Sequence, residues 1–116
     1  MVAEVEPNDT VAKPQIISSL PASVAGSIAS NTDLDHYSVT VAAGRTLTVT
    51  LTAGSASGFG LAVLSPAGQP LLVVPGAVGL ARQVMIRNVG ASAAVLVLKV
   101  SRTLGSIGAY KLALVY

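Results

Sequence analysis

Apolar and hydroxyl-bearing residues alternate with a period of two along two stretches of this chain. Tyr37, Val39 and Val41 are interleaved with His36, Ser38 and Thr40, and Leu47, Val49 and Leu51 with Thr46, Thr48, Thr50 and Thr52. Successive side chains of an extended strand point to opposite faces, so this pattern predicts two half-buried β-strands, apolar inside and hydroxylated outside. Apolar runs over residues 23–28, 59–64, 70–74, 80–87, 94–100 and 110–115, each bounded by Gly, Pro, Ser or Asn clusters, predict further strands. About eight short strands at roughly 8–12-residue spacing predict an all-β fold, an antiparallel β-sandwich of jelly-roll type. No helical stripe is sustained. The one candidate helical turn is Thr10-Val11-Ala12-Lys13, which Pro14 would stop.

Residues 70–74 and 94–100 break the alternation because both phases are apolar. Val95 and Val97 alternate with Leu96, Leu98 and Val100, and Leu71-Leu72-Val73-Val74 runs into the apolar loop 75–81. One phase of each strand belongs to the core. The other is covered by loops of the same chain or forms an exposed patch able to act as an interface.

At 116 residues the chain is sized for one domain with a single core. Residues 1–15 contain Pro7 and Pro14 and little apolar material, so they are read as a linker leading into a domain at 16–116. Hydrophobic residues make up 52% of the chain, but there is one Phe, no Trp and three Tyr, so the core has to be aliphatic. The absence of cysteine excludes disulfides and thiolate chemistry. The longest apolar stretch, 71–81, is interrupted by Pro75, Gly76 and Gly79 and is too short to cross a bilayer as a helix. The seven cations, Lys13, Arg45, Arg82, Arg87, Lys99, Arg102 and Lys111, are dispersed, which argues against a nucleic-acid partner. Met1 directly precedes an acidic segment, and the expectation is a piece of a longer precursor with its export signal upstream.

The acidic residues are the least evenly distributed. All five lie at the N-terminal end, Glu4, Glu6 and Asp9 in one group and Asp33 and Asp35 in another, with none beyond Asp35. Like charges held close raise one another's energy, so the clustering calls for a cation. The alternative is that the first group is solvated linker charge and the second serves turns through its backbone-bonding side chains. In an extended segment Glu4, Glu6 and Asn8 share a face, from which oxygen ligands would suit calcium. His36 is the sole histidine, predicted to be an exposed strand residue beside the acidic loop, and its neighbour Asp35 points to the opposite strand face, a poor geometry for a catalytic pair. Gly54-Ser55-Ala56-Ser57-Gly58 has Ala56 where a nucleophile elbow requires serine. No enzymatic constellation emerges.

Several of these residues fall into a familiar order: Glu4-Val5-Glu6-Pro7-Asn8-Asp9-Thr10, Gly26-Ser27-Ile28, Asp33-Leu34-Asp35-His36-Tyr37-Ser38-Val39, and the closing Gly108-Ala109-Tyr110-Lys111-Leu112. In these motifs the chain resembles the bacterial pre-peptidase C-terminal (PPC) domain family, related to the collagen-binding domains of clostridial collagenases. The resemblance implies a non-catalytic accessory β-sandwich on a secreted peptidase or other hydrolase. Its partners would be the parent catalytic domain and, through exposed aromatics, an insoluble polymer such as collagen or a polysaccharide. It also implies calcium bound by Glu4, Glu6, Asn8 and Asp9 of the linker together with Asp33 and Asp35 of the loop. An apolar-patch assembly module with no metal requirement is the competing expectation.

Overall fold

The computed structural model of the chain describes residues 2–5 and 8–116. The two alternating stretches form β4 (Leu34–Val41) and β5 (Thr46–Ala53). Around them are β1 (Val2–Ala3), β2 (Gln15–Ile17), β3 (Ala22–Ile28), β6 (Ser57–Leu64), β7 (Pro70–Val74), β8 (Arg82–Arg87), β9 (Ala94–Gly105) and β10 (Gly108–Val115). They build two five-stranded sheets, ordered β1-β3-β10-β5-β8 and β2-β4-β9-β6-β7. Pairing is antiparallel throughout except for β1 on β3 and β2 on β4, which are parallel. From β2 onward every connection except β6 to β7 carries the chain to the other sheet.

The fold class is the predicted one, with two strands beyond the eight expected. Both are short edge strands recruited by tertiary pairing, Val2 opposite Val24 and Gln15 opposite Tyr37, and two or three residues are too few to show an alternation. The remaining boundaries shift by a few residues. β8 begins at Arg82 because Ala77 to Leu80 closes a turn, Leu80 N–H donating to Ala77 O at 3.1 Å, with Gly79 at φ 75° supplying the left-handed residue. β9 extends past Val100 to Gly105, where the chain turns into β10. Residues 10–13 form a single turn, Lys13 N–H donating to Thr10 O at 3.2 Å, ahead of Pro14.

The core lies between the sheets and is made by one phase of each central strand. Tyr37, Val39 and Val41 of β4 meet Leu47, Val49 and Leu51 of β5, and they are joined among others by Leu61 and Val63 of β6, Leu98 and Val100 of β9 and Leu112 and Leu114 of β10. The outer face of the second sheet is also covered over β9 and β6. Ala62, Leu64 and Val97 form a small separate cluster, capped by Val11 from the N-terminal segment. The chain itself therefore covers Val97, one of the two valines expected to mark an exposed patch, whereas Val95 stays exposed. Burying Val97 removes an apolar side chain from water at no cost in unsatisfied polar groups.

Candidate functional site

The first residues of the chain are tied to both sheets at one end of the sandwich. Glu4 continues the β1 pairing, its N–H donating to Ala25 O at 3.0 Å, and its Oε1 accepts the Ser27 N–H at 2.8 Å. The Gln15 amide spans to the same segment, accepting from Val5 N–H at 2.8 Å and donating to Ala3 O at 2.9 Å. Asn8 is fully buried, its carbonyl accepting the His36 N–H at 2.9 Å and lying 3.1 Å from His36 Nδ1.

His36 is consequently buried, not exposed as the sequence predicted. Its cover comes from a residue 28 positions away, which strand alternation does not register. Burial lowers its pKa and favours the neutral ring. The ring partner is a backbone carbonyl and not a carboxylate, so no oriented acid–histidine pair is formed.

Passing over the second sheet, the segment delivers Asp9 to the two loop acids. Carboxylate oxygens of Asp9, Asp33 and Asp35 lie within 4.8 Å of one another, a group able to hold a metal ion. Asp33 closes the turn before β4, its Oδ2 accepting the Ala29 N–H at 2.8 Å. Asp35 sits in the second position of β4 and is fully buried. Glu4 belongs to the same neighbourhood, because its carboxylate contacts that of Asp35 and accepts the Asn8 side-chain N–H at 3.3 Å. Of the six acids and amides expected at a metal site, the structure thus brings five together, Glu4, Asn8, Asp9, Asp33 and Asp35; Glu6 lies outside the described residues.

The electrostatics of the group are those of carboxylates crowded together. Burial, then contact with Glu4, pushes the Asp35 carboxyl up to about 9. Burial also raises Asp33, reinforced by Asp9 and Glu4 and opposed by the Ala29 N–H. Without a cation, Asp35 therefore keeps a proton at neutral pH, and the proton does part of the work that a positive ion would do.

Behind the cluster stand two residues that the sequence reading did not assign to the site. Tyr110 OH donates to Asp35 Oδ2 at 2.6 Å and lies 2.6 Å from Tyr37 OH, giving a buried chain from the sandwich interior to the acids. The Tyr110 ring meets Phe59 edge-on at 6.1 Å and lies directly over Gly26, its register partner, where a Cβ would overlap the ring. The signal for Tyr37 was present, since Asp35 and Tyr37 are two apart on one strand and share a face. Nothing local announces Tyr110, which arrives from 75 residues downstream.

Tyr37, Tyr110 and Phe59 are thus core residues, which leaves Tyr116 as the exposed aromatic. Its hydroxyl accepts the Ala42 N–H at 2.9 Å, and the Arg45 guanidinium carbon stands 4.3 Å from its ring centroid. No helix of the described chain is long and apolar enough to cross a membrane.

No family model and no curated protein sequence matches the chain. Its fold is nevertheless similar to that of the pre-peptidase C-terminal domain of collagenase from Bacillus anthracis, with a TM-score of 0.67 over 96% of this chain and 99% of that one, at 13% identity. It is also similar to PliG, a periplasmic inhibitor of g-type lysozyme from Aeromonas hydrophila, with a TM-score of 0.62 over 88% and 94% of the two chains, at 18% identity. The resemblance drawn from the N-terminal and closing motifs is therefore matched in three dimensions, at the level of fold.

Proposed function

We propose that the chain is a non-catalytic accessory module of an exported bacterial hydrolase, and that calcium held at the acidic cluster fixes its N-terminal segment to the sandwich. The observation that carries this reading is the meeting of Asp9 with Asp33 and Asp35 within 4.8 Å, across a long gap in sequence. Glu4, Asp9, Asp33 and Asp35 supply carboxylate oxygens, the donor type calcium takes, and no cysteine or ring nitrogen competes for a softer metal. Asn8 orients Glu4, and Glu6 is proposed to complete the set from the same segment.

In this reading the ion replaces the proton on Asp35, relieves the mutual repulsion of the acids and fixes the direction from which any preceding chain would enter the domain. The catalytic partner would be a hydrolase domain of the same polypeptide. Substrate targeting, assistance in secretion and docking to that parent domain are the services such a module provides, with Tyr116 as the exposed aromatic for a polymer such as collagen or a polysaccharide. Support comes from the fold shared with the collagenase PPC domain together with the matching acidic motifs.

The test is a calcium titration by calorimetry, with magnesium as the control ion and an Asp33→Asn, Asp35→Asn double variant alongside. A calcium-selective heat that disappears in the double variant is expected. Equal silence of both proteins would remove the metal from the account.

A further inference from the structure

Beside the cluster lidded by Val11, the outer face of the second sheet opens into a groove along β6. Its floor is made of small residues. Ala62 pairs with Lys99 of β9 on one side and with Val73 of β7 on the other, and Gly60 pairs with Ser101. The two walls differ in chemistry, with Val73 and Pro75 along one and Lys99, Ser101 and Thr103 along the other. The space between them is about 160 Å³, and a cavity of about 150 Å³ accommodates a ligand the size of benzene.

Thr103 reaches the groove through a bulge. Phe59 pairs with Arg102 and Gly58 with Leu104, so Thr103 is an extra residue between them, and such a residue has its side chain re-aimed. Its hydroxyl lies over Gly60, where an added Cβ would stand 2.9 Å from Thr103 Oγ1, and it accepts the Gly76 N–H at 2.9 Å. That bond fixes the oxygen and leaves the hydroxyl proton to be donated. Lys99 is the one charged residue of the lining and has no acid partner among the described residues. The polar wall is therefore a row of donors, one ammonium and two hydroxyls, facing an apolar wall.

We propose that this groove binds a short aliphatic carboxylate, with its alkyl chain against Val73 and Pro75 and its carboxylate on Lys99. Charge complementarity selects the head group. A single ammonium flanked by neutral hydroxyls matches one negative charge, whereas a doubly charged phosphate is met by further cations or by a cluster of backbone N–H groups. An amine would face only the like charge of Lys99. The apolar wall selects the tail, since an alkyl chain laid along it removes apolar surface of both partners from water. None of the residues proposed to hold calcium lines the groove, so this inference stands apart from the metal.

The experiment is a titration of the full chain with sodium hexanoate, followed in amide nitrogen–proton correlation spectra. Chelator is present so that calcium cannot pair with the carboxylate. Saturable shifts confined to residues 60–62, 73–76 and 99–103 are expected, with a dissociation constant of about 1 mM for a ligand this small. Hexan-1-ol and hexylamine should bind at least about tenfold more weakly, as should hexanoate to Lys99→Gln, while Lys111→Gln should bind like the wild type. Ala62→Leu fills the floor and should abolish the shifts. If that variant unfolds, Lys99→Gln decides alone, because it alters a half-buried side chain with no acid partner. Shifts that do not saturate or that spread over the surface, equal binding of hexan-1-ol, or indifference to Lys99→Gln would overturn the proposal. So would concentration-dependent broadening of the same residues without ligand, which would give the groove to a second copy. Tighter binding of N-acetylleucine amide would also overturn it, by giving the groove to an uncharged peptide segment.

Discussion

Asp35 shows how much one residue can owe to partners far away in sequence. Its carboxyl is raised from 3.8 to about 9 because it is buried against Glu4, and Tyr110 holds it from behind. The folded form therefore binds a proton that the unfolded chain releases above 3.8. The stabilisation is fully present below that pH and is lost as pH rises through about 9. In chelator, melting curves should accordingly show the wild type losing stability relative to Asp35→Asn between these limits, with no such divergence at lower pH. Tyr110→Phe removes a hydroxyl that serves both Asp35 and Tyr37 and should cost about 1–3 kcal/mol in urea unfolding. Gly26→Ala sets a Cβ against a ring fixed by those same bonds. It should cost about 1–3 kcal/mol, and the Tyr110→Phe background should relieve the loss only in part, because the ring carbons nearest the added Cβ remain. Both residues stand in motifs that carry the family resemblance, but nothing in the sequence shows that they meet.

At the scale of the element, what could be read in advance depended on how local its cause was. β4 and β5 carry clean alternations and fell where expected, because burying one face of a strand is written into its own residues. β1 and β2 have no such signature and exist because β3 and β4 offer them an edge. The doubled apolarity of 94–100 was visible, but its explanation, a lid made by Val11, lies some eighty residues upstream. Val97→Lys should therefore destabilise by about 3 kcal/mol or more, since it buries an unpaired charge beneath that lid. Val95→Lys, exposed on the same strand, should stay within about 0.5 kcal/mol in the same urea titration.

For the molecule as a whole, the N-terminal segment is where the account is most exposed to test. Residues composed like a linker supply an edge strand to one sheet, a buried asparagine and an apolar lid to the other, and two of the acids at the cluster. The acidic grouping was legible because five carboxylates crowd one end of a chain poor in charge. Which strand ends they would meet at was not, because that follows from the sandwich connectivity. The measurement that bears most directly on the central claim is backbone hydrogen exchange with and without calcium. Its readouts are the amides that hold the segment down, Glu4 N–H on Ala25 O and His36 N–H on Asn8 O. Calcium at a hundred times its dissociation constant would add about 2.7 kcal/mol to any opening that releases the ion. These amides are predicted to exchange about a hundredfold more slowly in calcium, with the effect absent in the Asp33→Asn, Asp35→Asn variant. Exchange at the same rate with and without calcium would contradict the claim that the ion pins this segment.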